Sequence, residues 1–156
     1  MLRKISHKQI PSRGGTFAIV ASRYNARYVD AMLRAAKAEI LRAGATVQVV
    51  RVPGAYEIPV VVAKLARTAS PPLSAILCLG VILRGATTHA QHIGEAVSSA
   101  LVQIQIQHEV PVIHEVLLLE NEQQARERCF DKKHNRGTEA AQTALAMAGV
   151  MNSLRG

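Results

Sequence analysis

Apolar residues follow two alternating patterns along this chain, short unbroken runs and longer stretches with helical spacing. The short runs are rich in aliphatic residues and predict four buried strands, at 16–22, 46–52, 74–83 and 111–119. Apolar positions three or four residues apart predict helices between and after these runs. The helices are expected from Asn25 to just before Gly44, over 58–68, from the turn at 85–87 to near Glu109, over 121–127 and over 138–151.

The alternation of strands and helices predicts the fold class. Strands that are apolar on both faces indicate a parallel sheet covered by helices on each side. We therefore predict one α/β domain over 16–156, a three-layer sandwich with a four-stranded parallel sheet and flavodoxin-like topology. Right-handed crossovers bring the turns after the strands to one sheet edge, where ligands bind in open α/β sheets. Residues 1–15 are polar and are expected to form an N-terminal arm that can add a strand to a neighbour's sheet.

Composition narrows the class of protein. Hydrophobic residues make up 49% of the chain, enough for a packed core. No apolar run approaches the ~20 residues that span a bilayer, and the first residues lack the apolar stretch of a secretory signal. Two cysteines, Cys78 and Cys129, make neither a disulfide framework nor a zinc-ligand pattern. We expect a cytoplasmic protein with no metal and no membrane partner.

The positive charge of the chain raises the question of nucleic-acid binding. The net charge is +8, but the basic residues are scattered, and the densest stretch, at 126–136, also contains Asp131. No basic strand face carries aromatic residues, and no RNA-binding motif is present. We therefore expect no nucleic-acid partner. The basic stretch suits a phosphorylated small molecule equally well.

Three of the turns at the predicted sheet edge carry chemically useful residues. SRYN (22–25) places an aromatic ring and an amide directly after a strand, and VPGAYEIP (52–59) places a carboxylate at the start of a helix. GVILRGATTH (80–89) ends a strand with Gly-Ala-Thr and puts His89 in the first helical turn. The free N–H groups of such a turn favour an anion. Each turn taken alone is compatible with an ordinary connector.

Taken together, in this order and spacing, the three turns resemble motifs of the lumazine synthase family. SRYN is similar to the family's S-R-F-N, VPGAYEIP to V-P-G-x-x-E-[IL]-P and GVILRGATTH to G-V-[ILV]-I-R-G-x-T-x-H. Further along, PVIHEVL at 111–117, NEQQARER at 121–128 and NRG at 135–137 resemble P-[IV]-x-F-G-V-L, E-Q-A-x-x-R and N-K-G. The similarity runs from about Thr16 to the C-terminus.

The resemblance implies a reaction and an assembly. The family joins 5-amino-6-(D-ribitylamino)uracil to 3,4-dihydroxy-2-butanone 4-phosphate and releases 6,7-dimethyl-8-ribityllumazine, phosphate and water. An amine attacks a ketone, phosphate leaves and the ring closes, without a metal or redox cofactor. The expected partners are therefore small-molecule substrates and other copies of the chain. Family members form pentamers, and some form sixty-subunit cages, so we expect a homopentamer or a larger assembly.

The resemblance also implies roles for individual residues. His89 would act as general acid and base, since imidazole titrates near neutral pH. Arg128, with the N–H groups of Ala86 and Thr87, would bind the phosphate. Tyr24 would stack on the pyrimidine. The remaining substrate-binding residues are expected to be Asn25, Ala55, Tyr56, Glu57, Val81, Ile82, Leu83, His114 and Arg136. The strand at 111–119 and the region 126–136 would reach across from a neighbouring subunit.

The chain departs from the family pattern at several positions. Tyr24 replaces a phenylalanine but keeps an aromatic face, and 90–92 reads Ala-Gln-His where the family has F-[DE]-Y. Gln91 is thus a neutral partner if the usual acid supports His89. His114 replaces the phenylalanine that a neighbour contributes, and Lys133 and Arg136 also differ from the usual residues.

Two other interpretations stay open, and the departures at 90–92 and 114 bear on the first of them. A module of flavodoxin-like topology that binds a flavin or nucleotide without catalysis has the same predicted topology, and topology alone does not decide function. His89 and Arg128 count against it, because a passive flavin binder needs neither. A structural shell protein is the other alternative, and that role is compatible with catalysis.

Overall fold

The computed structural model describes residues 14–155, and its elements follow the predicted alternation of strands and helices. In chain order they are β1 (Thr16–Ser22), α1 (Ala26–Arg42), β2 (Thr46–Val52), a short 3₁₀ helix (Ala55–Glu57), α2 (Ile58–Thr68), β3 (Ala75–Leu83), α3 (His89–His108), β4 (Val112–Leu119), α4 (Glu122–Cys129) and α5 (Arg136–Ser153). Apart from Gly14 and Gly15, the arm predicted over 1–15 lies outside the described residues.

The four strands form one parallel sheet in the order β2-β1-β3-β4. Helices α1, α4 and α5 pack on one face of the sheet, and α2 and α3 pack on the other. Each face has its own buried cluster of aliphatic side chains, so strands β1 and β3 are buried almost throughout. The predicted three-layer α/β fold is confirmed. The strand order reverses between β1 and β3, which is where open α/β sheets leave a crevice for ligands.

Two helix ends show how local chemistry sets the boundaries. The helix predicted from Thr138 begins at Arg136 instead, because the Asn135 side chain caps it. Asn135 Oδ1 accepts hydrogen bonds from the backbone N–H groups of Gly137 and Thr138, at 2.7 and 3.3 Å. At the end of α1, Gly44 has a φ of 76°, the left-handed conformation typical of a glycine just past a helix.

Gly137 also permits a close helix contact. A Cβ atom at this position would overlap the backbone carbonyl of Met32 on α1. Only a residue without a side chain lets the start of α5 lie so near the middle of α1.

Among residues 14–155, no helix combines the length and the apolar character that crossing a membrane requires.

Candidate active site

A cavity of about 660 Å³ opens at the carboxyl ends of β1 and β3, at the point where the strand order reverses. Three turns and the start of α3 supply its walls. The lining residues are Tyr24, Asn25, Gly54, Ala55, Tyr56, Glu57, Val81, Ile82, Leu83, His89, His92, Ile93 and Ala96. The structure therefore brings together most of the residues expected to bind the pyrimidine and ribityl chain, and it places His89 beside them.

The turns after β1 and β2 are fastened to each other at the rim of the cavity. The backbone N–H groups of Arg23 and Tyr24 both donate to the carbonyl of Pro53, each at 3.0 Å. The Tyr24 ring lies against Gly54, where an added Cβ would come within 2.8 Å of Tyr24 Cδ2. The tyrosine side chain is nonetheless 68% exposed, so much of the ring is open to a ligand. Gly54 is thus the surface on which Tyr24 rests.

Arg51 supports the same region from β2, a role that sequence reasoning missed. Its guanidinium donates to the carbonyls of Ala21 and Ser22 at 3.2 and 2.9 Å. The same group forms an ion pair with Asp30 of α1 at 2.8 Å. Arg51 therefore holds the end of β1 in place. The available signal was a single cation inside the apolar run TVQVVRV.

Glu57 and Asn25 each have one side-chain atom that is hydrogen-bonded within the fold and another that is open to a ligand. Glu57 Oε1 accepts a hydrogen bond from the Gly54 N–H group at 3.1 Å. Asn25 has a left-handed backbone with a φ of 59°, and its Nδ2 donates to the Val81 carbonyl at 2.7 Å. This bond joins the turn after β1 to the end of β3. Within residues 14–155, Glu57 Oε2 and Asn25 Oδ1 make no hydrogen bond and are available to a bound molecule.

The turn before α3 presents an anion-binding backbone and an imidazole. Gly85, Ala86 and Thr87 are exposed and precede the first residue of α3, His89. Thr87 Oγ1 accepts a hydrogen bond from the His89 backbone N–H group at 3.3 Å. In the described part of the chain, the His89 imidazole makes no hydrogen bond, so both ring nitrogens are available to substrate. Ala86 and Thr87 lie in sequence between the lining residues Leu83 and His89 but do not line the cavity themselves.

Gln91 turns away from His89. Its Nε2 atom donates to Glu95 Oε1 at 3.1 Å. Both side chains line a separate cleft, between α3 and β4, together with Arg84. The neutral residue at 91 therefore leaves His89 without a contact from that position, whereas His92 faces the cavity.

Three residues expected in the site lie elsewhere in the chain. Arg128, on α4, is half-buried and donates through Nη1 to the Gln124 carbonyl at 3.4 Å. Arg136 pairs with Glu139 at 3.5 Å, and His114 lies on β4. Among the described residues, no lysine or arginine lines the cavity. Within residues 14–155, one copy of the chain thus places no lysine or arginine in the cavity to bind a phosphate.

Consecutive residues of β4 face opposite sides of the sheet and differ in chemistry. His114 Nδ1 accepts from the Val116 N–H group at 3.2 Å, and its Nε2 lies 2.8 Å from Ser98 Oγ on α3. Because a backbone N–H group can only donate, this arrangement favours a neutral ring with its proton on Nε2. Glu115 faces α5, where burial raises the pKa of its carboxyl group to about 7. The nearby charge of Arg136 opposes this rise.

An open parallel sheet with a cavity at its reversal point, lined by two tyrosine rings, a carboxylate and two imidazoles, defines an α/β protein that binds a small organic molecule. The sequence profile of 6,7-dimethyl-8-ribityllumazine synthase matches residues 14–152. The chain therefore belongs to the lumazine synthase family, as its motifs indicated. Between residues 14 and 155, no group of three or more His, Cys, Asp and Glu side chains is arranged to hold a metal.

Individual relatives are similar over nearly their whole length. The 6,7-dimethyl-8-ribityllumazine synthase of Desulfotalea psychrophila is 41% identical, over 91% of this chain and 92% of the relative. The enzyme of the same name from Stenotrophomonas maltophilia is 38% identical, over 88% of this chain and 90% of the relative. That from Aquifex aeolicus is 37% identical, over 97% of this chain and 99% of the relative.

Proposed function

We propose that this chain catalyses the lumazine synthase reaction of riboflavin biosynthesis. It condenses 5-amino-6-(D-ribitylamino)uracil with 3,4-dihydroxy-2-butanone 4-phosphate and releases 6,7-dimethyl-8-ribityllumazine, phosphate and water. The observation that carries the proposal is the cavity at the ends of β1 and β3. It collects an exposed aromatic ring, an available carboxylate oxygen and His89 in one place. A pyrimidine with a polyhydroxylated chain needs these groups.

The pyrimidine and its ribityl chain occupy complementary parts of this cavity. Tyr24 provides a flat face for the ring, and Gly54 keeps that face in position. The backbone at 81–83 and 55–56 borders the cavity, where N–H and C=O groups bind the polar edge of the pyrimidine. Glu57 Oε2 accepts hydrogen bonds from ribityl hydroxyl groups. Holding both substrates in this geometry supplies much of the rate enhancement.

His89 moves the protons that the condensation requires. The substrate amine attacks the ketone carbon, and the resulting carbinolamine must lose a hydroxyl group as water. Imidazole is the side chain most often used as a general acid and base, and such groups contribute roughly 10²–10⁴-fold to catalysis. The free ring nitrogens of His89 suit this role.

The phosphate site needs a cation, and residues 14–155 of one chain place no lysine or arginine at the cavity. The N–H groups of Ala86 and Thr87 bind the phosphate, and Arg128 of a neighbouring copy neutralises it. His114 and Arg136 of that neighbour complete the substrate site. The proposed assembly is a homopentamer or a larger form.

Exposed apolar side chains on α3 support the proposal that another copy of the chain covers this surface. Val102 and Ile106, one turn apart on α3, are 48% and 70% exposed. Burying these apolar side chains against a neighbouring copy would stabilise the assembly.

We also propose the cytoplasm as the site of action, since Cys78 and Cys129 are free thiols.

Lumazine formation tests the proposed function. Purified protein is mixed with both substrates, and the absorbance and fluorescence of the lumazine product are followed against mixtures that omit one substrate. We expect product at a rate that scales with protein concentration. Binding of the lumazine without its formation would instead support a flavin-type binding module, and a monomer by light scattering in an active preparation would contradict the shared site.

A further inference from the structure

Helix α3 begins with two imidazoles that face the same cavity. His89 and His92 are three residues apart, a spacing that puts two side chains on one face of a helix. Both line the cavity that also contains Tyr24 and Glu57. Gln91, which lies between them in sequence, lines the separate cleft next to β4. The first turn of α3 therefore offers two titratable rings to one substrate.

The contact that holds His92 tolerates a change in its protonation. His92 Nε2 lies 3.3 Å from Thr88 Oγ1. A hydroxyl group both donates and accepts, so this contact persists with the neutral ring and with the imidazolium. His114 differs, because its bond to a backbone N–H group requires an unprotonated nitrogen. In the described part of the chain, His92 Nδ1 makes no hydrogen bond and is available to substrate.

His92 shares its cavity with titratable groups from two other parts of the fold and from its own helix. Within the described residues, the titratable groups that share its cavity are His89 on its own helix, Glu57 and Tyr56 on the 3₁₀ helix and Tyr24 from the turn after β1.

Two charged groups of the neighbouring cleft, Arg84 and Glu95, are engaged with other partners. Arg84 forms an ion pair with Glu120 at 3.3 Å. Glu95 accepts the hydrogen bond from Gln91, and both Arg84 and Glu95 line the other cleft. Neither charge is therefore paired with His92.

We propose that His92 is a second catalytic residue, which works with His89 in the reaction proposed above. When the amine attacks the ketone, the nitrogen loses a proton and the carbonyl oxygen gains one. When the carbinolamine dehydrates, its C–O bond breaks, the oxygen takes a proton from the His92 imidazolium and leaves as water. The nitrogen lone pair forms the C=N bond, and the nitrogen proton passes to neutral His89. The two rings exchange protonation states, and solvent restores them.

The pH dependence of turnover shows whether His92 transfers protons or only lines the cavity. His92→Phe keeps a flat ring without titratable nitrogens, and His92→Gln keeps a hydrogen-bonding group that does not titrate. Gln91→Ala, on the same helical turn but outside the cavity, is the matched control. The assay is kcat for lumazine formation and KM for the pyrimidine, measured from about pH 5 to pH 9, a range that includes the titration of imidazole.

We expect both His92 variants to lower kcat at least about tenfold, near the low end for a general acid, with a KM within about threefold of the parent value. They should also remove one limb of the pH profile, while Gln91→Ala keeps the parent profile. An unchanged kcat overturns the inference, and so does a lower kcat with the parent pH profile, which would make His92 structural. A parent chain that forms no lumazine overturns the proposed function as well, whereas an active parent with indifferent His92 variants overturns this inference alone.

Discussion

Replacing Gly54 with alanine tests whether this glycine positions the Tyr24 ring. The added Cβ would lie 2.8 and 2.9 Å from Tyr24 Cδ2 and Cε2 and 3.2 Å from Glu57 Oε1. The backbone itself accepts alanine, because Gly54 has an extended conformation with φ −134° and ψ 177°. The Tyr24 side chain is 68% exposed and can swing away into solvent. The substitution therefore displaces the ring instead of straining the backbone.

Gly54→Ala is expected to weaken ligand binding and to leave the stability of the fold nearly unchanged. Aromatic stacking contributes about 0.5–1.5 kcal/mol, so losing the aligned Tyr24 face weakens lumazine binding about two- to twelvefold. The free energy of unfolding should stay within about 1 kcal/mol of the parent value or rise, because alanine restricts the unfolded chain. Fluorescence titration with the lumazine product gives the affinity, and thermal unfolding gives the stability.

A control variant and a double variant test whether the effect comes from the contact between Gly54 and Tyr24. Gly85→Ala is the matched control, since its Cβ would meet no atom within 4 Å, and it should bind the product like the parent. In the double variant with Tyr24→Ala, Gly54→Ala should have little further effect, because both changes remove the same contact. Parent-like affinity in Gly54→Ala, or full additivity of the two changes, would refute the positioning role of Gly54.

Three further outcomes follow from other parts of the structure. Gly137→Ala should lower the free energy of unfolding by more than about 3 kcal/mol and Tm by at least about 6 °C, because the added Cβ overlaps the Met32 carbonyl. A Tm close to the parent's would contradict that packing. Burial raises the folded-state pKa of Glu115 to about 7, so the unfolded chain ionises first and stability should fall as pH rises from about 4.5 to 7. Glu115→Gln should flatten this decline in thermal unfolding and be the more stable protein at pH 8, and an unchanged pH dependence would count against the buried carboxyl. Arg128→Ala should lower kcat/KM for the butanone phosphate about ten- to a hundredfold, since a charge-assisted contact contributes roughly 1.5–3 kcal/mol, and unchanged kinetics would remove Arg128 from the site.

The fold was predictable because buried parallel strands leave a strong mark on a sequence. The runs at 16–22 and 46–52 coincide with β1 and β2, since each strand is bounded by residues that favour turns. The start of α5 was harder to predict, because Arg136 and Gly137 extend no apolar period and the helix begins there through the Asn135 cap. Local side-chain hydrogen bonds of this kind decide an end that hydrophobic spacing leaves open.

The site was predictable in its turns but not in its details. The motifs at 22–25, 52–59 and 80–89 gave the cavity walls, because parallel strands bring their following turns to one edge. The opposite directions of Gln91 and His92 depend on the phase of α3 around its axis, which an exposed, polar first turn does not reveal. Nor does a motif indicate that Arg128 lies outside the cavity of its own chain.

Mixing two damaged subunits tests most directly the central claim that one copy supplies the cavity and its neighbour supplies Arg128. His89→Ala and Arg128→Ala chains, each with its own affinity tag, are produced together, and assemblies that carry both tags are isolated and assayed for lumazine formation. With random assembly around a closed ring, about a quarter of the sites combine an intact His89 with a neighbour's intact Arg128. We predict activity near that fraction of the parent's, well above either variant alone. Activity no higher than the mean of the two separate variants, in assemblies shown to contain both chains, would contradict a site shared between copies.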